Sequence, residues 1–136
     1  MNKGLKLSSI ILVIIMITAL LSFPVSAATS QTKSGSANGV LCYATVAFTV
    51  SGGKNGAAAA TSSGISIDSL YAYVSYTYRV NGTTTLMTVS GSGSSSNSSW
   101  AGKTVTASNA VHVSAAGSHS ATYHGGTWNT TTSITY

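Results

Sequence analysis

The chain has 136 residues, a single carboxylate and six Lys/Arg, for a formal net charge of +5. With no glutamate and Asp68 standing alone, neither the paired acids of a glycoside hydrolase nor a carboxylate-rich calcium site can be assembled. One cysteine, Cys42, excludes an internal disulfide, so a single domain of this length has to be held by its core.

Lys3 and Lys6 precede an apolar run from Ile10 to Leu21 broken only by Thr18, and Pro24 comes just before Val25-Ser26-Ala27. This is the pattern of a secretory signal peptide, residues 1–27, cleaved after Ala27. The apolar run is shorter than the roughly 18 to 20 residues that cross a bilayer, so no membrane span is expected after cleavage. The expected address is extracellular or cell-wall associated. Beyond residue 27, Lys33, Lys54, Arg79 and Lys103 stand against Asp68, a formal charge of +3. Those cations are scattered and cannot track successive phosphates, so nucleic acid is not an expected partner.

Residues 28–39 hold no large apolar side chain and read as a flexible leader. From Val40 to Val50 apolar residues alternate as in a half-buried strand, with Cys42 inward as a small apolar residue and Tyr43 outward. Residues 51–56 form a turn; in residues 57–67 the alanines suit a helix and 61–67 a short strand, and the strand is the reading taken. Asn81-Gly82 predicts a two-residue type I′ hairpin, with Val80 opposite Thr83 and Tyr76 opposite Met87. Leu70, Ala72, Val74, Tyr76 and Tyr78 then face inward, and Tyr71, Tyr73, Ser75, Thr77 and Arg79 outward.

The Gly/Ser/Asn tract 90–99 reads as a mobile loop, after which Trp100 restarts order as a lid on the core. Strands are expected at 104–107 and 110–115, then a three-residue turn at 116–118. A last hairpin turns at Gly125-Gly126 and sets Tyr123 opposite Trp128. That register sends Val111, Val113, Ala115, His119, Ala121, Tyr123, Trp128, Ile134 and Tyr136 inward. Ser118, Ser120, Thr122, Thr127, Asn129, Thr131, Ser133 and Thr135 form an outward face without charge. The predicted fold is all-β: one small antiparallel β-sandwich over residues 40–136 with about six to eight strands, a small β-barrel being the alternative.

No catalytic residue, metal or cofactor is expected. Strand residues five apart point to opposite faces, so His119 and His124 cannot chelate together; His112 and His124 share the outward face but lack a third ligand. No Gly-x-Ser-x-Gly elbow surrounds any serine, and an inward strand cysteine lacks the exposed setting of a thiolate nucleophile. The candidate binding residues are aromatic: Tyr43, Tyr71, Tyr73 and Trp100, whose rings can stack on sugars or pack on a protein. The sequence therefore predicts a secreted, non-enzymatic protein that binds or assembles at the cell envelope or extracellular matrix. Its expected partners are cell-wall polysaccharide or further copies of itself, since Lys103 is the only Lys, Arg or carboxylate from Asn81 to Tyr136 and little there discourages strand pairing. The competing expectation is a secreted bacteriocin-like antagonist, suggested by small size, mild basicity and a Gly/Ser/aromatic-rich composition.

Overall fold

The structure is a computed structural model that describes residues 30–136; the expected signal peptide lies outside the described residues. Six strands follow in order: β1 (Ser30–Ala37), β2 (Val40–Ser51), β3 (Lys54–Val80), β4 (Leu86–Ala107), β5 (Ala110–Tyr123) and β6 (Gly126–Thr135). All pairings are antiparallel, in the order β1-β2-β3-β5-β6 with β4 added to β3. The expected all-β antiparallel architecture is therefore present, as a six-stranded sheet folded into a nearly closed, barrel-like sandwich.

Two bends fold the sheet. The β3–β4 register shifts between Ser62 and Ile67, where the Ser63 hydroxyl donates to the Ile65 carbonyl at 2.7 Å, and β4 turns at Asn97, whose φ is +50°. The whole of β2 and the first half of β3 then form one layer with β1 and the end of β4. The second half of β3 forms the other layer with the start of β4, β5 and β6.

The core between the layers is built from Val46, Phe48, Ala57, Ala59, Ala72, Val74, Tyr76 and Ile134 at one end, and Cys42, Ile67, Leu70, Ala101 and Ala121 at the other. Many of these side chains are methyl groups, and the layers come close. A Cβ on Gly93 of β4 would lie 2.1 Å from the Gly102 carbonyl oxygen of the same strand after its bend. On the far side β1 meets β6: the Ser133 amide donates to Gln31 Oε1 at 2.9 Å, and the Trp128 ring covers Gly35.

Several expectations are corrected here. Residues 30–37 are not a flexible leader but β1, joined to β2 by Asn38-Gly39 with φ of +46° and +80°, a type I′ turn. No large apolar residue is needed in β1, because Trp128 supplies the bulk over Gly35. The tract 90–99 is not a loop but the middle of β4: Ser90, Ser92 and Ser94 face solvent while Gly91 and Gly93 fit between the layers. Residues 116–118 do not turn. Gly117 continues β5 and leaves room for His119, whose Nε2 would lie 2.5 Å from a Cβ there.

Both remaining hairpins form with a register two residues from the expected one, a shift that keeps every side chain on its face. At residues 81–85 φ is positive at Gly82 but not at Asn81. The Thr83 amide closes a four-residue turn on the Val80 carbonyl, and the Thr83 hydroxyl also donates to that carbonyl and accepts from the Thr85 amide. The ladder resumes only at Arg79–Leu86, so Met87 pairs with Tyr78. The last turn is His124-Gly125, both at positive φ, and Trp128 faces Ala121, not Tyr123. Gly126 is kept for close approach to Asn38.

Gly93→Ala and Gly82→Val should each lower unfolding free energy by roughly 1 to 3 kcal/mol, the first by overpacking against backbone and the second by forcing a β-branched residue to positive φ. Gly64→Ala, where a Cβ meets nothing within 4 Å, should change it by less than about 0.5 kcal/mol. Urea titration of the three variants checks the ranking.

Candidate functional site

The outward face of the second layer is a regular array. Reading across β4, β3, β5 and β6, its rows are Ser96-Ser69-Thr122-Thr127, Ser94-Tyr71-Ser120-Asn129, Ser92-Tyr73-Ser118-Thr131, Ser90-Ser75-Ala116-Ser133 and Thr88-Thr77-Ser114-Thr135. Sixteen of these twenty positions are Ser or Thr, and none carries a charge. Strand geometry sets the spacing, about 4.8 Å between columns and about 6.8 Å between successive rows. At two corners the hydroxyls pair across strands, Thr77 with Thr88 at 3.2 Å and Thr122 with Thr127 at 3.1 Å.

Tyr71 and Tyr73 stand in the middle of this array, two residues apart on β3 and flanked by serines on both neighbouring strands. Tyr71 is 39% exposed and Tyr73 half-buried. Together they offer two aromatic rings above a neutral bed of donors and acceptors, a surface suited to a hydroxylated ligand. Three of the four columns match the outward faces expected from the sequence. The β4 column was hidden in the tract read as a loop, although Ser90-Gly91-Ser92-Gly93-Ser94 carries the period of two that marks a strand.

Tyr43 and Trp100 belong to the outward face of the other layer, in the row Ser34-Tyr43-Ser62-Trp100. The structure thus divides the four candidate aromatics into two separate pairs. Trp100 does not cap the core. Its ring lies along its own strand over Gly102, where a Cβ would be 2.4 Å from it, and its buried Nε1 has no hydrogen-bond partner. Ser62 Oγ, between Tyr43 and Trp100, is likewise buried and unpartnered.

The ionisable groups that could do chemistry are drawn into the scaffold. Asp68 Oδ2 accepts the backbone N–H of His124 at 2.7 Å, holding a non-glycine residue at a φ of +46°. His112 faces inward, not outward with His124, because the β3–β5 register shifts between Thr77 and Tyr78 and leaves Val113 without a partner on β3. There it packs on Phe48 at a ring separation of 4.5 Å and bonds the Tyr76 hydroxyl through Nδ1 at 3.0 Å. Burial pushes the Tyr76 hydroxyl up to about 12, with Tyr78 adding to the shift, so it stays protonated; burial lowers His112. Cys42 is fully buried and its thiol is raised by desolvation. Among the described residues no group of three or more His, Cys, Asp or Glu is placed to hold a metal.

His119 is inward as expected, 3% exposed, and bridges the layers. The Thr61 hydroxyl donates its one proton to the Tyr71 carbonyl at 2.7 Å, so at 2.9 Å it accepts from Nδ1–H of His119; Nε2 then accepts the Thr132 hydroxyl at 2.9 Å. The imidazole is neutral with both nitrogens satisfied, and desolvation brings its pKa down to about 4, partly opposed by the Ala60 carbonyl.

No family model, curated protein or solved structure matches this chain.

A histidine depressed from its unfolded value of 6.5 to about 4 contributes stability that is whole above pH 6.5 and lost as pH falls through 4. The expected loss is about 3 kcal/mol between pH 7 and pH 3.5. Denaturant melts across that range should show the slope, and His119→Gln should be less stable at pH 7 yet flatter in pH.

Proposed function

We propose that this is a secreted, non-enzymatic protein that binds at the cell envelope, and that the outward array of the second layer is its contact surface for neutral wall or matrix polysaccharide. The observation that carries the reading is the pairing of Tyr71 and Tyr73 with an uncharged field of hydroxyls on all four strands. Sugar rings present apolar C–H faces and equatorial hydroxyls, which match aromatic rings bordered by Ser and Thr. The export pattern of residues 1–27 supports the address, and the engagement of Asp68 with the His124 backbone supports a binding role over a hydrolytic one.

Purified protein should co-sediment with insoluble neutral polysaccharide from cell walls, and Tyr71→Ala or Tyr73→Ala should weaken that binding about tenfold, equivalent to about 1.4 kcal/mol. Tyr43→Ala and Trp100→Ala, on the other layer, should leave it unchanged. Because the array carries no charge, binding should persist as salt rises from 0.05 to 1 M, in contrast to adsorption by net charge. Binding that vanishes with salt, or survives loss of both tyrosines, would refute the proposal.

A further inference from the structure

Among the described residues, one long lateral edge of the sheet has no strand beside it. Among the described residues β4 pairs with β3 alone from Leu86 to Ala107, so every second amide and carbonyl along its other side is without a strand partner. The opposite margins behave differently: β1 and β6 are drawn together through Gln31, Ser133, Gly35 and Trp128, which covers the outer margin of each. Exposed edges are normally protected by lysine, proline, a bulge or shortness. The stretch of β4 in the second layer, Leu86–Ser96, contains no charged residue and no proline. The next charge along β4, Lys103, follows the bend and belongs to the first layer, its stem packed beside Gly91 at 3.0 Å from an ideal Cβ, while on β3 Arg79 pairs with Leu86 at the far end of the stretch.

We propose that Thr88–Ser96 of β4 pairs antiparallel with the same segment of a second copy of this chain, giving a two-fold dimer with one continuous eight-stranded outer layer. The segment is self-complementary in that arrangement. With the axis at Ser92, Ser90 meets Ser94 on the outward face and Gly91 meets Gly93 on the inward one, so like faces like and no side chain is bulky or charged. Leu86 and Met87, 59% and 47% exposed, lie just beyond the paired stretch, because their opposite numbers in this register would be residues 98 and 97, past the bend of the copy. The two Ser/Thr arrays become one, eight columns wide with four tyrosines. The dimer does not depend on the polysaccharide reading, and it can fail or hold separately from it.

Sedimentation velocity of the purified protein over rising concentration should show a monomer–dimer equilibrium. Ser92→Lys places two ammonium groups face to face at the axis and should raise the dimer dissociation constant at least about tenfold. Thr131→Lys adds the same charge to the same row at the opposite margin and should leave the equilibrium unchanged. Any loss of polysaccharide binding common to both lysine variants bears on the array, whereas loss of dimer in Ser92→Lys alone bears on the edge. Ser92→Cys should also cross-link to itself under mild oxidation, with Thr131→Cys failing to do so. A wild type that stays monomeric at every concentration, or a Ser92→Lys variant that dimerises as well as the wild type, overturns the proposal.

Discussion

Close approach of the two layers is the constraint on which the rest of this structure rests. The core has few large side chains, so its burial comes from bringing Ala, Val and bare backbone together over a long sheet. Gly93 against Gly102, Gly35 under Trp128 and Gly126 against Asn38 mark the places where a methyl group would hold the layers apart. The bends in β3 and β4 exist to bring those positions together, and without them the chain would be an open sheet with no second face to cover its apolar side.

Such a thin core gives polar groups inside it unusual weight. Thr61 reaches from one layer to the Tyr71 carbonyl of the other, and His119 ties that link to Thr132. Each of these hydrogen bonds is modest in net terms, but leaving any one partner unpaired in the interior would cost about 1 to 3 kcal/mol. The network therefore fixes how the layers sit on one another. Since Tyr71 supplies both a buried carbonyl to that network and an outward ring to the array, the interior also sets the position of the exposed aromatic pair.

Faces were legible in the sequence where alternation was strong, and the failures have physical causes. The inward series Leu70, Ala72, Val74, Tyr76 and the outward series Tyr71, Tyr73, Ser75, Thr77 follow from period two alone, and so do the outward hydroxyls of β5 and β6. Turn chemistry was less transferable. The same Asn-Gly pair makes a type I′ turn at 38–39 but not at 81–82, where the Thr83 hydroxyl ties up the local carbonyl and amide. His112 went to the wrong face because a bulge at Val113 reverses parity without any Gly or Pro to announce it. The Ser/Gly tract of β4 looked like a linker because it lacks apolar residues, whereas its glycines face a neighbouring backbone that leaves room for nothing larger. Of the four candidate aromatics, exposure could be inferred one strand at a time, but the division between two layers depends on bends that only the folded chain reveals.

The place of β3 at the centre of the sheet has a consequence for how the chain acquires its structure. The β1–β2 and β5–β6 hairpins close through two-residue turns and can zip within microseconds, and β3–β4 can follow from its own loop. The β3–β5 ladder is different. It pairs Ser69 with Thr122 and Leu70 with Ala121, across the whole intervening length of β4, so its loop-closure entropy must be met before its hydrogen bonds return anything. Docking of a preformed β5–β6 hairpin onto β3 is thus the slow event expected of this topology, and until it happens β2 covers only the first half of β3, while residues 69–80 keep a bare margin on the side away from β4.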